Sequence, residues 1–379
     1  MSDHHDSAVP DQPFAELPRR QILIGDARAQ LQRLPADSVD CVVTSPPYFG
    51  LRDYGHPDQL GSEPDIAAWV KNLVAVAAEL RRVLRPDGTV WLNVGDGYSR
   101  HPREGATKKS LLLGPPRLAL ALQDDGWIVR NYIIWAKRNP MPSSTADRLT
   151  CGHEAVLLLT RQPHYYFDLD AIRVPATTTV TPAKDPAAAR PHYPPEAAVP
   201  RRGRVPRVDL NRGLAGLKAA GQQAHPLGRN PGDVWQFATA SYRGAHFAVF
   251  PTDLALRPVL AGTPERRCTR CVAPWRHALQ RHGNRLLAVG PLQPACHCGA
   301  PWKPGVVLDP FMGTGTVATV AEATGRDWLG IELNPTYGAL AWSRITAARG
   351  QPDHTAKSPP DDRTDGAPPQ PDKHMSKET

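Results

Sequence analysis

A chain of 379 residues with 41% hydrophobic content is long enough for one large catalytic domain with insertions, or for two modest domains. No run of about 18 apolar residues suggests a membrane-spanning helix, and the polar segment 1–18 lacks the apolar stretch of a secretory signal, so a cytoplasmic protein is expected. The net charge of +8 is concentrated in residues 176–232, where nine Lys/Arg face three acids, and a basic segment of that kind fits a polyanionic partner.

Residues 21–26 (QILIGD) and 40–44 (DCVVT) are short β-type runs ending in turn residues. Ile66, Trp69, Val70, Leu73, Val74, Ala77, Leu80 and Leu84 recur at three- and four-residue spacing, which predicts an amphipathic helix over 65–84. That helix should stop at a turn, Pro86-Asp87-Gly88, with a strand over 89–94 beyond it. Pro115-Pro116 suits the first turn of another helix, running to Asp125-Gly126. Strands follow at 128–135 and 154–160. Near the far end come a strand at 306–309, a helix at 314–324 and a strand at 328–332. A last helix has Asn334 as cap and Pro335 at its first position. Strands alternating with helices predict a doubly wound, mostly parallel α/β sheet covered on both faces.

The alternation fails at 176–232, which holds nine prolines and separates two α/β blocks. The expected organisation is a disordered tail at 1–18, a catalytic half at 19–175, and the basic Pro-rich insertion at 176–232. A cofactor-pocket segment follows at 233–267, then a zinc-knuckle module at 268–302. A cofactor-binding half at 303–349 and a second disordered tail at 350–379 complete it.

Residues 307–316 (VLDPFMGTGT) read as a buried strand, an acidic tip and a Gly-rich turn into a helix. Gly313 and Gly315 allow a backbone to approach a ligand where a Cβ would collide. Glu332 ends the next strand, where doubly wound folds place the acid that binds ribose hydroxyls. DPFMGTG followed by GIELNP resembles the S-adenosylmethionine (AdoMet) motifs of amino-group DNA methyltransferases. The resemblance implies Asp309, Phe311, Gly313, Gly315 and Thr316 around the methionine end, with Glu332 on the ribose. A nicotinamide cofactor fits less well, because the third glycine of GxGxxG is missing.

Ser45-Pro46-Pro47-Tyr48 follows an apolar strand, at the edge where α/β sheets place their ligands. Two prolines fix φ and remove backbone donors, leaving a stiff loop rich in acceptors. Ser45 and the Pro46 carbonyl could hold both N–H bonds of an exocyclic amino group, favouring a pyramidal nitrogen with its lone pair free. Tyr48 could stack on the ring of a base extracted from the helix. SPPY is similar to the catalytic motif of the same family, in which Ser is commonest for cytosine N4 and Asp for adenine N6. Its position ahead of the AdoMet motif resembles the circularly permuted β group. Asp26 is similar to the family's adenine-contacting acid, with a surface turn as the alternative. Residues 95–98 (GDGY) line the base pocket or form a tight turn. Residues 235–251 resemble a further cofactor motif that sets Phe250 beside AdoMet, with core packing as the alternative.

Cys268-x2-Cys271 and Cys296-x-Cys298 each lead into a similar stretch, CVAPW and CGAPW, which suggests two facing knuckles around a structural Zn. The CxC half departs from CxxC, which leaves His277, His282 or His297 as an alternative to one cysteine ligand. Cys41 and Cys151 read as apolar filler. The implied activity is site-specific methylation of double-stranded DNA at cytosine N4, with adenine N6 the alternative. Two other classes are a non-catalytic zinc-containing DNA-binding protein on a methylase fold, and an RNA or protein amino methyltransferase. The enzyme would act alone or beside a cognate restriction endonuclease.

Overall fold

The computed structural model describes residues 12–53, 55–56, 59–175, 225, 227–239, 251–282 and 285–349. Two compact units are present, one formed by residues 1–172 and 231–379 and the other by 173–230.

The larger unit is built on an eight-stranded sheet. Its strands are β1 (Gln21–Ile24), β2 (Val39–Thr44), β3 (Leu84–Val94), β4 (Ile128–Lys137), β5 (His153–Thr160), β6 (Val234–Phe237), β11 (Val306–Asp309) and β12 (Asp327–Glu332), in the order β1-β12-β11-β2-β3-β5-β4-β6. All run in one direction except β5, which is antiparallel to both of its neighbours. The start of β5 therefore lies at the same edge as the ends of the other seven.

Alternation along the strands feeds two cores. Val42, Val90, Leu92, Leu157 and Leu308 face α1 (Ala27–Arg33), α2 (Ile66–Val83) and α3 (Gly114–Asp124). Cys41, Val43, Trp91, Leu158 and Val307 face α4 (Thr252–Gly262), α5 (Thr316–Ala323) and Ile345 of α6 (Pro335–Arg349). Helix α2 buries Ile66, Trp69, Leu73, Val76, Ala77, Leu80 and Val83, and Asp65 caps it by accepting the Ala68 N–H at 2.8 Å. Each large apolar side chain so buried contributes about 1.5–3 kcal/mol. Among the described residues no helix is long and apolar enough to cross a membrane.

Several expectations are corrected. Pro86-Asp87-Gly88 does not end one element before the next begins. Helix α2 stops at Val83, and β3 starts at once at Leu84. The pairing slips from Val39↔Leu84 to Cys41↔Thr89, so the turn-forming triplet is absorbed as a bulge. Helices α1 and α4 and strand β6 were not anticipated. Trp235 and Phe237 of β6 are buried in the core. Cys41 is buried and its thiol is pushed up to about 12 by that burial, as befits filler, whereas Cys151 is exposed.

In the smaller unit, Val174 and Arg229 form an antiparallel bridge, Val174 N to Arg229 O at 3.0 Å and Arg229 N to Val174 O at 2.8 Å. This closes the ends of the insertion on one another. Residues 176–224, including the clustered arginines, lie outside the described residues, as do 1–11 and 350–379.

Candidate active site

The switch point of the sheet lies between β2 and β11, because the chain leaves β2 toward β3 and leaves β11 toward β12. Ligands bind at such points in open α/β sheets. Here Thr44 Oγ1 donates to Asp309 Oδ1 at 2.6 Å, and Phe311 N donates to the same oxygen at 3.1 Å. Burial pushes the Asp309 carboxyl up to about 7, against the pull of these two donors. Glu332 ends β12, where its Oε2 accepts Gly313 N at 2.8 Å and its Oε1 accepts Asn334 N at 3.0 Å. Its carboxyl is also raised by burial. The acid thus holds the Gly-rich turn in shape as well as facing the cavity.

Gly313 has φ 51°, a conformation open to glycine at little cost. The second glycine serves a purpose the sequence did not indicate. At Gly315 (φ 76°) a Cβ would lie 3.1 Å from Ile345 Cδ1 and 3.2 Å from Ala341 Cβ, so its smallness lets α6 pack against the turn. Thr316 lines the cavity, yet its hydroxyl accepts from Arg344 Nη1 at 2.9 Å. Asp26 caps α1 by accepting Ala29 N at 2.8 Å, and it too lines the cavity. Phe250 lies outside the described residues, while its neighbour Pro251 is part of the cavity wall.

Ser45, Pro46, Pro47 and Tyr48 line the same cavity, of about 900 Å³, as Asp26, Asp309, Phe311, Gly313 and Glu332. The Pro47 carbonyl is not an open acceptor, since Trp69 Nε1 donates to it at 3.0 Å. Tyr48 packs its ring on Gly95, where an added Cβ would come within 2.5 Å of Cε2. Asp96 Oδ1 accepts Gly97 N and Gly114 N, so residues 95–98 form a capped turn that also seats the tyrosine.

Three polar residues meet here that sequence reasoning missed. Tyr48 OH donates to Glu154 Oε2 at 2.7 Å, and Ser45 Oγ lies 3.1 Å from Tyr48 OH. Asn93 Nδ2 donates to Tyr48 OH at 2.7 Å and to Glu154 Oε2 at 2.8 Å. Lys137 Nζ pairs with Glu154 Oε1 at 2.6 Å. Each stands at or next to the end of a strand, adjoining a run of apolar residues, which was the available signal.

The four cysteines form a second cluster, with all four Sγ atoms within 4.8 Å of one another. Backbone N–H groups of Cys271 and Arg270 draw the Cys268 thiol down to about 6. The paired strands β7 (Arg267–Cys268) and β10 (Trp302–Lys303) and the hairpin of β8 (Trp275–His282) and β9 (Arg285–Pro294) frame the cluster. His277 Nδ1 is engaged by Gly290 O at 2.8 Å, inside that hairpin. The echoed tryptophans, Trp275 and Trp302, meet edge to face at 6.2 Å, with the Arg266 guanidinium over both rings. Beside Cys268, buried Arg267 binds Asp40 and Asp87. Asp40 stands at the beginning of β2, so the cluster is anchored at the sheet edge opposite Ser45 and Asp309.

The family model described as DNA methylase matches residues 39–342. The chain belongs to this family. The type II methyltransferase M.SmaI of Serratia marcescens is 34% identical over 350 residues, covering 87% of this chain and 91% of that protein. M.Cfr9I of Citrobacter freundii, also a type II methyltransferase, is 34% identical over 352 residues, or 87% and 89% of the two chains. Among solved structures, the PvuII DNA methyltransferase (cytosine-N4-specific) is similar with a TM-score of 0.51 at 16% identity, covering 89% of this chain and 94% of that one, a likeness of fold. The sheet order of this DNA methylase thus sets its two motif loops side by side at one edge.

Proposed function

We propose that this methylase transfers a methyl group from AdoMet to the exocyclic amino group of a base flipped out of double-stranded DNA, and that the base is cytosine, methylated at N4. The observation that carries the choice of base is Ser45 at the head of the catalytic tetrapeptide, where adenine-directed relatives commonly carry Asp.

The cavity fits AdoMet in size and chemistry: about 900 Å³, two buried carboxylates at its floor, Phe311 and a Gly-rich turn. Glu332 would hold the ribose, Asp26 the adenine end, and Asp309, Phe311, Gly313 and Thr316 the methionine end, with Gly315 shaping the turn and Phe250 assigned by motif alone. When bound, AdoMet supplies a sulfonium methyl that is already activated. Ser45 Oγ and the Pro46 carbonyl accept the two amino N–H bonds, and the prolines keep these acceptors in place. Trp69 braces the loop at Pro47 and Gly95 seats the ring of Tyr48.

In this reading the order of the two halves, 19–175 before 303–349, is the circularly permuted one, with 233–267 as a cofactor-pocket segment. Residues 176–232 carry target recognition, since phosphates attract basic side chains and neighbouring side chains read bases. A restriction endonuclease cutting the same sequence is the partner it implies. The 268–302 module holds a structural Zn through Cys268, Cys271, Cys296 and Cys298. Four thiolates about 2.3 Å from Zn stand about 3.8 Å apart, a spacing the cluster can meet with little movement.

Mass spectrometry of digested DNA from cells expressing the chain tests the assignment. N4-methylcytosine is expected. N6-methyladenine would refute the base and keep the chemistry, whereas 5-methylcytosine would keep the base and refute the amino-transfer chemistry.

A further inference from the structure

The hydrogen-bond chain behind Ser45 has a direction, and its end groups set it. Glu154 Oε1 pairs with Lys137, and Glu154 Oε2 accepts from both Asn93 and Tyr48. A carboxylate can only accept, and an amide NH2 can only donate. The Tyr48 proton is thereby committed to Glu154, and the phenol oxygen, already accepting from Asn93, is an acceptor toward Ser45. Ser45 must then donate its own proton to Tyr48 and, since Asn93 Nδ2 also donates to its Oγ at 3.4 Å, only a lone pair on Oγ is left to face the cavity.

We propose that Glu154 is a positioning residue that fixes this polarity and so makes Ser45 Oγ an obligate acceptor for the amino group of the target base. The proposal rests on the methyltransferase reading above. A lone serine hydroxyl is a rotor that donates as readily as it accepts, and a donor aimed at an amino group repels it. Asp at the first motif position needs no such device, because a carboxylate accepts from every direction. Ser does need one.

Asn93 carries a matching cost. Its two N–H bonds are shared among Tyr48 OH, Glu154 Oε2 and Ser45 Oγ, and its Oδ1 is buried without a partner among the described residues. An unmet buried acceptor costs about 1–3 kcal/mol. Turning the amide over would satisfy Oδ1 elsewhere only by setting an oxygen against the Glu154 carboxylate. Lys137 completes the arrangement by setting a positive charge against the second Glu154 oxygen. The topology makes the convergence possible, since β5 alone is reversed and so brings its first residues to the edge where β3 and β4 end.

Glu154→Gln tests the direction while preserving shape. Its NH2 would donate to Tyr48, turn the phenol proton toward Ser45, and turn the Ser45 proton toward the base. Methyl incorporation into unmethylated genomic DNA from labelled AdoMet should fall roughly a hundredfold, the scale for losing an oriented hydrogen-bonding group at a reacting centre. AdoMet affinity by calorimetry should stay within about twofold. Tyr48→Phe breaks the chain, so the double variant Glu154→Gln/Tyr48→Phe should be no slower than Tyr48→Phe alone. Glu154→Asp, still acceptor-only, should retain more turnover than Glu154→Gln. Turnover of Glu154→Gln near wild type, multiplicative losses in the double variant, or Glu154→Asp as slow as Glu154→Gln would each overturn the proposal. Wild-type protein that binds AdoMet yet transfers no methyl to DNA would instead overturn the methyltransferase reading, and this proposal with it.

Discussion

Thr44 Oγ1 and Asp309 Oδ1, 265 residues apart in sequence, are joined by a 2.6 Å hydrogen bond at the point where the strand order reverses. One residue ends the strand that carries the Ser45–Tyr48 loop, and the other ends the strand that carries the glycine-rich turn. The bond couples the two loops at their roots, and it gives Asp309 a donor in a place where burial opposes its charge.

That opposition has a pH signature. The folded carboxyl of Asp309 titrates near 7, above its ordinary value, so folding favours the protonated form. Its contribution to stability is fully present below about pH 4 and is lost as pH rises through 7. About three pH units at about 1.4 kcal/mol each set a ceiling of about 4 kcal/mol. Thermal melts of Asp309→Asn should show a weaker decline between pH 4 and 7 than wild type, since Asn keeps the acceptor for Thr44 without the charge. Parallel curves would refute the assignment.

Glu332→Ala and Gly313→Val should both abolish AdoMet binding. The first removes the acceptors for Gly313 and Asn334, and each buried N–H left unpartnered costs about 1–3 kcal/mol, so melting temperature should drop as well. The second forces a β-branched residue to φ 51°. Calorimetry that finds normal affinity in both folded variants would remove these residues from the cofactor site.

Gly95→Ala should slow methylation while leaving AdoMet affinity near wild type. The new methyl would lie 2.5 Å from Tyr48 Cε2, so the ring must shift and pull its hydroxyl from Glu154. If turnover is unaffected, the seat of Tyr48 is not what orients the Ser45–Tyr48 loop.

Purified protein should carry about one Zn per chain, and its removal should lower the melting temperature, because structural sites contribute folding free energy directly. Arg267, beside Cys268, ties the cluster to Asp40 and Asp87, so the loss should reach the base of β2. Metal content under about half an equivalent, in protein never exposed to chelator, would refute the site.

Replacing Arg201, Arg202, Arg204 and Arg207 with Ala should weaken DNA binding and flatten its dependence on salt, by about 0.9 in log–log slope for each phosphate no longer neutralised. An unchanged slope measured by titration at several salt concentrations would move recognition to another surface.

What the sequence determined by itself was local. The period of α2, the strand–acid–glycine pattern around Asp309, the SPPY loop after an apolar strand and the paired cysteines all depend on neighbours within a few residues. Dihedral preference and side-chain period are set at that range. The three-dimensional arrangement decided what those pieces do together. Pro86-Asp87-Gly88 looked like a turn and became a bulge, because the register between β2 and β3 could absorb it. Gly315 looked like a ligand contact, and its smallness also makes room for α6. Glu154 looked like the first residue of an apolar strand, and its partners Asn93, Lys137 and Tyr48 come from three other segments. Their meeting depends on which strands lie side by side and on the one strand that runs backwards. Strand order is settled by burying both faces of the sheet, a property of the whole chain that no short window of residues contains.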